Sequence, residues 1–250
     1  KVHGSSCCLK KDFSNGAVPM EGLEHFCTRL ASDETVTELN LSRNNLSIIA
    51  MQSLCSSLQT NVTLSSLHLH GNPLTPDSTQ LLASVLSTNC SLTALNLSST
   101  KLGDQGVAIL VDPLQAHPSL HRLRLDYNSI SSVGAVSLAK ALKENKSLQT
   151  LVLLGNRLRD EGCIALAQGL HSNTTLTELN LVENQIGDKG AMALSEMLIE
   201  NSTLAELNLN ANNIADTGVL FLADVLASHP SMRLLHLYTN AYGGAGRMAR

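Results

Sequence analysis

LQTLVLLGNRLRDEGCIALAQGLHS, residues 148–172, carries the pattern that sets the architecture of the whole chain. Leu148, Leu151 and Leu153 have the spacing L-x-x-L-x-L, and Asn156 and Leu158 follow as N-x-L. Such alternation suits a short strand with one buried face. Gly162, Leu166 and Leu170 then fall four residues apart, which is helical spacing. One strand, one turn and one helix therefore fill the stretch. The same unit recurs without slippage. Its first apolar position falls at Val36, Leu64, Leu92, Leu120, Leu148, Leu176, Leu204 and Met232, each step 28 residues.

Units of this kind stack, each touching only its neighbours. Parallel strands sit roughly 4.8 Å apart, whereas helices need roughly 8–10 Å. A stack of strand–helix units must therefore bend toward its strands. The expected fold class is an α/β solenoid, a horseshoe arc with a parallel sheet on the concave face and helices on the convex face. Its crossovers are right-handed. A composition of 43% hydrophobic residues with 2% aromatics and no Trp fits a core of stacked Leu, Ala and Val.

Three segments follow. Residues 1–35 read as an N-terminal tail and a degenerate capping half-repeat. Gly22, Phe26 and Leu30 take the slots of Gly162, Leu166 and Leu170, while the strand half has decayed and Lys11 stands where a core leucine belongs. Residues 36–231 make seven 28-residue repeats, and residues 232–250 a partial eighth with a strand and the start of a helix.

Other columns share the period. Asn44, Asn72, Asn128, Asn156, Asn184, Asn212 and Asn240 are placed to satisfy turn backbone groups. Thr100 interrupts them, and a local weak point is expected there. Gly106, Gly134, Gly162, Gly190, Gly218 and Gly246 mark helix starts and allow close approach of the neighbouring unit, with Ala50 and Ser78 in the first two repeats. The sequons at Asn61, Asn89, Asn145, Asn173 and Asn201 share one register just after each helix. They read as left-handed helix-ending residues rather than glycan acceptors.

A formal charge of −4 with no basic run gives no footprint for nucleic acid or anionic membrane. No apolar run reaches the length of a membrane span, and the opening KVHGSSCCLKKDF lacks the apolar stretch of a signal peptide. The six cysteines form no C-x-x-C pair, Cys27 and Cys55 occupy one buried helix register, and only Cys7 and Cys8 read as an exposed pair. A reduced, cytoplasmic setting is expected. His68 and His70 point the same way from one strand, but Asn40, Asn96, Ser42 and Ser98 are poor further ligands, so no metal is expected. No phosphate-binding loop occurs and the register brings no nucleophile–base pair together, so neither catalysis nor a cofactor is expected.

The residues between the inward leucines line the concave sheet. Most are bland and polar. Arg122, Arg124, Asp126 and Tyr127 adjoin Val152, Leu154 and Val182, where cationic and aromatic side chains border an apolar centre. This patch is the candidate centre for a protein partner. A second cluster, Leu234, His236, Tyr238 and Tyr242 at the C-terminal end, suits packing against a further capping segment.

The pattern L-x-x-L-x-L-x-x-N-x-L followed by G-A-x-x-L-A-x-x-L-x-x-N resembles the ribonuclease-inhibitor-like leucine-rich repeats. SVGAVSLAKALKENKSLQTLVLLGNRL from Ser132 and DKGAMALSEMLIENSTLAELNLNANNI from Asp188 are similar to the C-terminal arrays of NOD-like receptors. That resemblance implies a ligand-sensing or autoinhibitory region of an intracellular innate immune receptor. Two other readings stay open. One is a scaffold or assembly protein of cytoskeletal or other complexes. The other is RanGAP-like regulation of a small GTPase, for which Arg43 is the residue to nominate.

Overall fold

The alternating leucines open each unit as a strand, and the pattern after each turn closes it as a helix. The computed structural model describes residues 9–16, 19–227 and 229–243. Its elements run β1 (Leu9–Asp12), α1 (Met20–Leu30), β2 (Val36–Asn40), α2 (Ile48–Leu58), β3 (Ser66–His68), α3 (Pro76–Leu86), β4 (Ala94–Asn96), α4 (Gly103–Ala116), β5 (Arg122–Arg124), α5 (Ser132–Glu144), β6 (Thr150–Val152), α6 (Arg159–Leu170), β7 (Glu178–Asn180), α7 (Asp188–Glu200), β8 (Glu206–Asn208), α8 (Asp216–Leu226) and β9 (Leu234–His236). Among the described residues the strands make one parallel sheet in sequence order. The register never slips between β2 and β9, so Leu39, Leu67, Leu95, Leu123, Leu151, Leu179, Leu207 and Leu235 lie side by side. The helices stack in the same order, and both layers share one continuous core.

The first unit is more complete than its sequence suggests. β1 pairs in parallel with β2, Lys11 opposite Leu39, so the strand half is present. Backbone pairing does not need the missing leucine. Phe13 and Phe26 pack edge to face with ring centroids 4.8 Å apart, supplying apolar bulk at that end.

The turn asparagines form the expected ladder, fully buried at its centre. Asn156 Oδ1 accepts from the N–H groups of Asn128 and Ile130, both at 3.0 Å, and its Nδ2 donates to the carbonyls of Leu125 and Leu153 at 3.0 and 2.8 Å. Thr100 is not the weak point it was expected to be. Its hydroxyl donates to Leu97 O at 2.8 Å, and the amides of Asn72 and Leu74 turn to the carbonyls of Leu69 and Thr100. The unsatisfied acceptor lies elsewhere, at the buried Asn184 Oδ1.

The sequon column is a second buried ladder, and the left-handed conformation expected of it is not adopted. Asn145 and Asn201 end their helices at φ −64° and −81°. Asn145 Oδ1 accepts from the N–H groups of Ser147 and Leu148, while Nδ2 reaches back to Leu114 O at 2.6 Å. All five sequon asparagines are at most 4% exposed, which favours the structural role over glycan attachment.

His117 occupies the same register. Its Nδ1 imitates the amide oxygen, accepting from Ser119 and Leu120 at 3.2 and 3.0 Å, but Nε2 is buried without a partner. Burial holds the imidazole below its ordinary value of 6.5. The unfolded chain therefore binds the extra proton first, so stability is full above pH 6.5 and falls as pH drops below it. His117→Asn should remove that dependence. It should also add about 1 kcal/mol at neutral pH by restoring a donor to the preceding repeat. Urea unfolding at pH 7.5 and 5.5 measures both effects.

A third ladder caps the helices. Asp188 Oδ1 accepts from Ala215 N at 2.8 Å and Gly218 N at 3.0 Å, at the start of the next helix. Asp160 does the same for Gly187 and Gly190, and Asp104 for Ser131 and Gly134. Each carboxylate stands at the positive end of its neighbour's helix. Three glycines of the column follow from this. A Cβ on Gly134, Gly190 or Gly218 would fall 2.5–2.9 Å from the capping oxygen. Ala50 and Ser78 are tolerated at that register because Ser47 and Thr75 cap those helices from within. Asp188→Ala should cost about 2 kcal/mol, and Asp188→Asn less because an acceptor remains. Thermal unfolding of the two variants side by side gives the comparison.

Candidate binding surface

The concave face is built from the outward slots of the strands, so its rows run across the sheet at fixed register. One row reads Glu38, Ser66, Ala94, Arg122, Thr150, Glu178, Glu206 and Leu234. The next carries Asn40, His68, Asn96, Arg124, Val152, Asn180, Asn208 and His236. A trough of about 410 Å³ lies along these rows, with Glu38 and His68 toward one end and Arg122, Arg124, Thr150, Val152 and Glu178 toward the other.

Arg122 and Arg124 are exposed as expected. Among the described residues Arg122 forms no ion pair, while Arg124 Nε donates to Asp126 Oδ2 at 3.0 Å. Asp126 is a correction to the expected surface. It is 2% exposed, and its Oδ2 also accepts from Ser98 Oγ at 2.5 Å. It faces into the turn, where it holds Arg124 and Ser98. Its Oδ1 has no partner, so the buried carboxylate has strong reason to hold the guanidinium.

Val152 is a second correction. At 9% exposure it offers little surface, a short side chain set in its row between the longer Arg124 and Asn180. The apolar centre rests instead on the half-buried Leu154 and Val182. Tyr127 is 51% exposed and adopts φ 53°. Its ring covers Gly155, where a Cβ would lie 2.2 Å from Cε1. The side-chain route of Tyr127 thus depends on glycine in the next turn. Arg43 is arranged alike, at φ 58° with its Cγ over Gly71.

The other end of the trough holds one pair that the sequence reading missed. Ser66 Oγ lies 3.2 Å from His68 Nε2, as residues two apart on one strand face the same way. Glu38 Oε1 approaches the same Nε2 at 3.7 Å, while its Oε2 pairs with Lys10 at 2.6 Å. A charge-relay arrangement needs the carboxylate on Nδ1, opposite the nucleophile. Here both neighbours crowd one nitrogen, which is the geometry of a surface polar network. His70 turns its Nδ1 to Ser98 O at 3.0 Å.

Burial pushes the thiols of Cys27 and Cys55 up to about 12, so both stay protonated and pack as small apolar groups. Cys7 and Cys8 lie outside the described residues, as does Gly246. At the C-terminal end Leu234 and Tyr238 are 45% and 60% exposed, and Leu235 and Leu237 are half-buried where their counterparts Leu207 and Leu209 are fully covered. No helix among the described residues is long and apolar enough to cross a membrane.

These repeats define a class. The leucine-rich-repeat family matches residues 32–55, 88–110, 116–139, 144–167, 172–195 and 200–223, more than half of the chain, and the chain belongs to that family. The unit between the first two matched segments has the same strand and helix, β3 and α3. No curated protein matches the chain. Among solved structures it is similar to the actin-binding site 2 of leiomodin-1, with 20% identity over 63% of this chain and 90% of that one at a TM-score of 0.51. The tropomodulin C-terminal domain of Caenorhabditis elegans gives 16% identity over 60% and 92% at 0.51. A chain of the Rad7 and Elc1 complex in yeast gives 18% over 92% and 62% at 0.60. At these identities the likeness is one of fold.

Proposed function

We propose that this array is a non-enzymatic assembly scaffold that holds a protein partner against its concave sheet. The carrying observation is the interruption of a bland polar surface at Arg122 and Arg124, exposed beside Leu154, Val182 and Tyr127. Arginine and tyrosine next to partly covered aliphatic groups are the usual material of binding hot spots. The leiomodin-1 and Rad7–Elc1 titles name an actin-binding site and a complex, which favours the scaffold reading. The receptor reading rests on the motif resemblance, and the GTPase reading on Arg43 alone. The free cysteines Cys27, Cys55, Cys90 and Cys163 support a cytoplasmic setting.

The test compares affinity capture by the wild-type protein and by Arg122→Glu/Arg124→Glu/Leu154→Asp, after circular dichroism shows both folded. Direct titration with monomeric actin runs in parallel. A partner held by the wild type and lost by the variant supports the scaffold face. Equal recovery by both proteins moves the interface to the helices or the C-terminal end. A captured small GTPase would revive the regulator reading.

A further inference from the structure

The concave face carries charge of both signs in a fixed order. Arg122 and Arg124 stand on β5, Thr150 follows on β6, and Glu178 and Glu206 stand on β7 and β8. Arg122, Glu178 and Glu206 share one row of the sheet. Neither Glu178 nor Glu206 pairs with a cation among the described residues; Glu178 Oε2 only accepts from the Thr150 hydroxyl at 3.1 Å. At roughly 4.8 Å per strand, the cationic and anionic positions are about 10–14 Å apart. That is three to four residues of an extended peptide at about 3.3 Å per residue.

Resting on the concave-face reading, we infer that the partner presents an extended segment with an acidic residue and a basic residue four positions apart, a spacing that keeps both side chains on the face toward the sheet. The carboxylate sits over Arg122 and Arg124, where Arg124 is already oriented by Asp126. The middle of the segment passes over Thr150, and the cation meets Glu178 and Glu206. A segment bearing one sign alone satisfies one end of the row and is repelled at the other. Either chain direction satisfies the row, so the spacing is specified and the polarity of the peptide is not.

Selection from a displayed library of random linear peptides tests this, followed by affinity measurement by fluorescence anisotropy. Wild-type protein should enrich peptides with opposite charges four residues apart. Arg122→Glu/Arg124→Glu should weaken these peptides at least about tenfold and enrich peptides basic at both ends. Glu178→Lys/Glu206→Lys should enrich peptides acidic at both ends. Enrichment of peptides of a single sign by the wild type, or no enrichment, overturns the inference. Binding that depends on the arginines but ignores Glu178→Lys/Glu206→Lys also overturns it while leaving the concave-face reading intact. Binding that ignores both variants contradicts the concave-face reading itself.

Discussion

Asn156→Ala is expected to destabilise the array by about 3–5 kcal/mol. The side chain is 3% exposed and makes five bonds to backbone groups of two repeats, the longest at 3.4 Å. Removing it leaves two buried N–H groups and Leu125 O to find partners, at about 1–3 kcal/mol for each that fails, while Leu153 O keeps Asn184 Nδ2. Some will succeed, as Asn72 N and Leu74 N do beside Thr100. Asn156→Thr should therefore cost about half as much, because the hydroxyl replaces one donor and the backbone can adopt the Thr100 pattern. The substitution falls mid-array, and each repeat leans only on its neighbours. Urea unfolding should lose its single step in Asn156→Ala, and hydrogen exchange should quicken first around β5 and β6. An unaltered unfolding curve would show that the ladder contributes nothing.

Gly169→Val should cost about 3 kcal/mol, although glycine inside a helix is ordinarily a liability of about 1 kcal/mol. The sign is decided by the neighbour. A Cβ at residue 169 would lie 2.5 Å from Ala139 O and 2.8 Å from Ala139 Cα, both backbone atoms of α5. Those atoms cannot swing aside as a side-chain tip can, so α5 and α6 would have to separate. Gly162→Ala is the control. Its contacts, Ala135 Cβ and Leu158 Cβ at 3.1 Å and Ser132 Cα at 3.2 Å, are longer, so a shift of a few tenths of an ångström admits a methyl, and its effect should stay within about 1 kcal/mol. Thermal unfolding of both variants settles the comparison; equal effects would mean that the helix–helix approach is not limiting.

The parts of this fold legible in the sequence are those that repeat the same chemistry every 28 residues. The inward leucines and turn asparagines serve one purpose in every unit, so recurrence alone exposed them. What escaped depended on the neighbour at one position. β1 went unread because pairing with β2 is a backbone property and Lys11 hid the pattern. The capping role of Asp104, Asp160 and Asp188 went unread because their partners lie a full repeat away. His117 went unnoticed among asparagines because its Nδ1 replaces an amide oxygen that it does not resemble in sequence.

The candidate surface was legible to the same degree. Strand alternation placed Arg122 and Arg124 outward without ambiguity. It could not show that Asp126, in the next outward slot, is drawn beneath Ser98 and Arg124, since the strand ends at Arg124 and the turn redirects the chain. Nor could it show how far Val152 is covered. The patch is narrower than the residue types suggested, and more of its character comes from charge.

Site-specific photo-crosslinking decides most directly whether the sheet side holds the partner. A photoreactive residue would replace Thr150, in the concave trough, or Lys140, exposed on α5. The scaffold account expects protein adducts from position 150 that Arg122→Glu/Arg124→Glu abolishes, and few from position 140. Adducts confined to position 140, indifferent to the arginine substitutions, would contradict it and assign binding to the helical face.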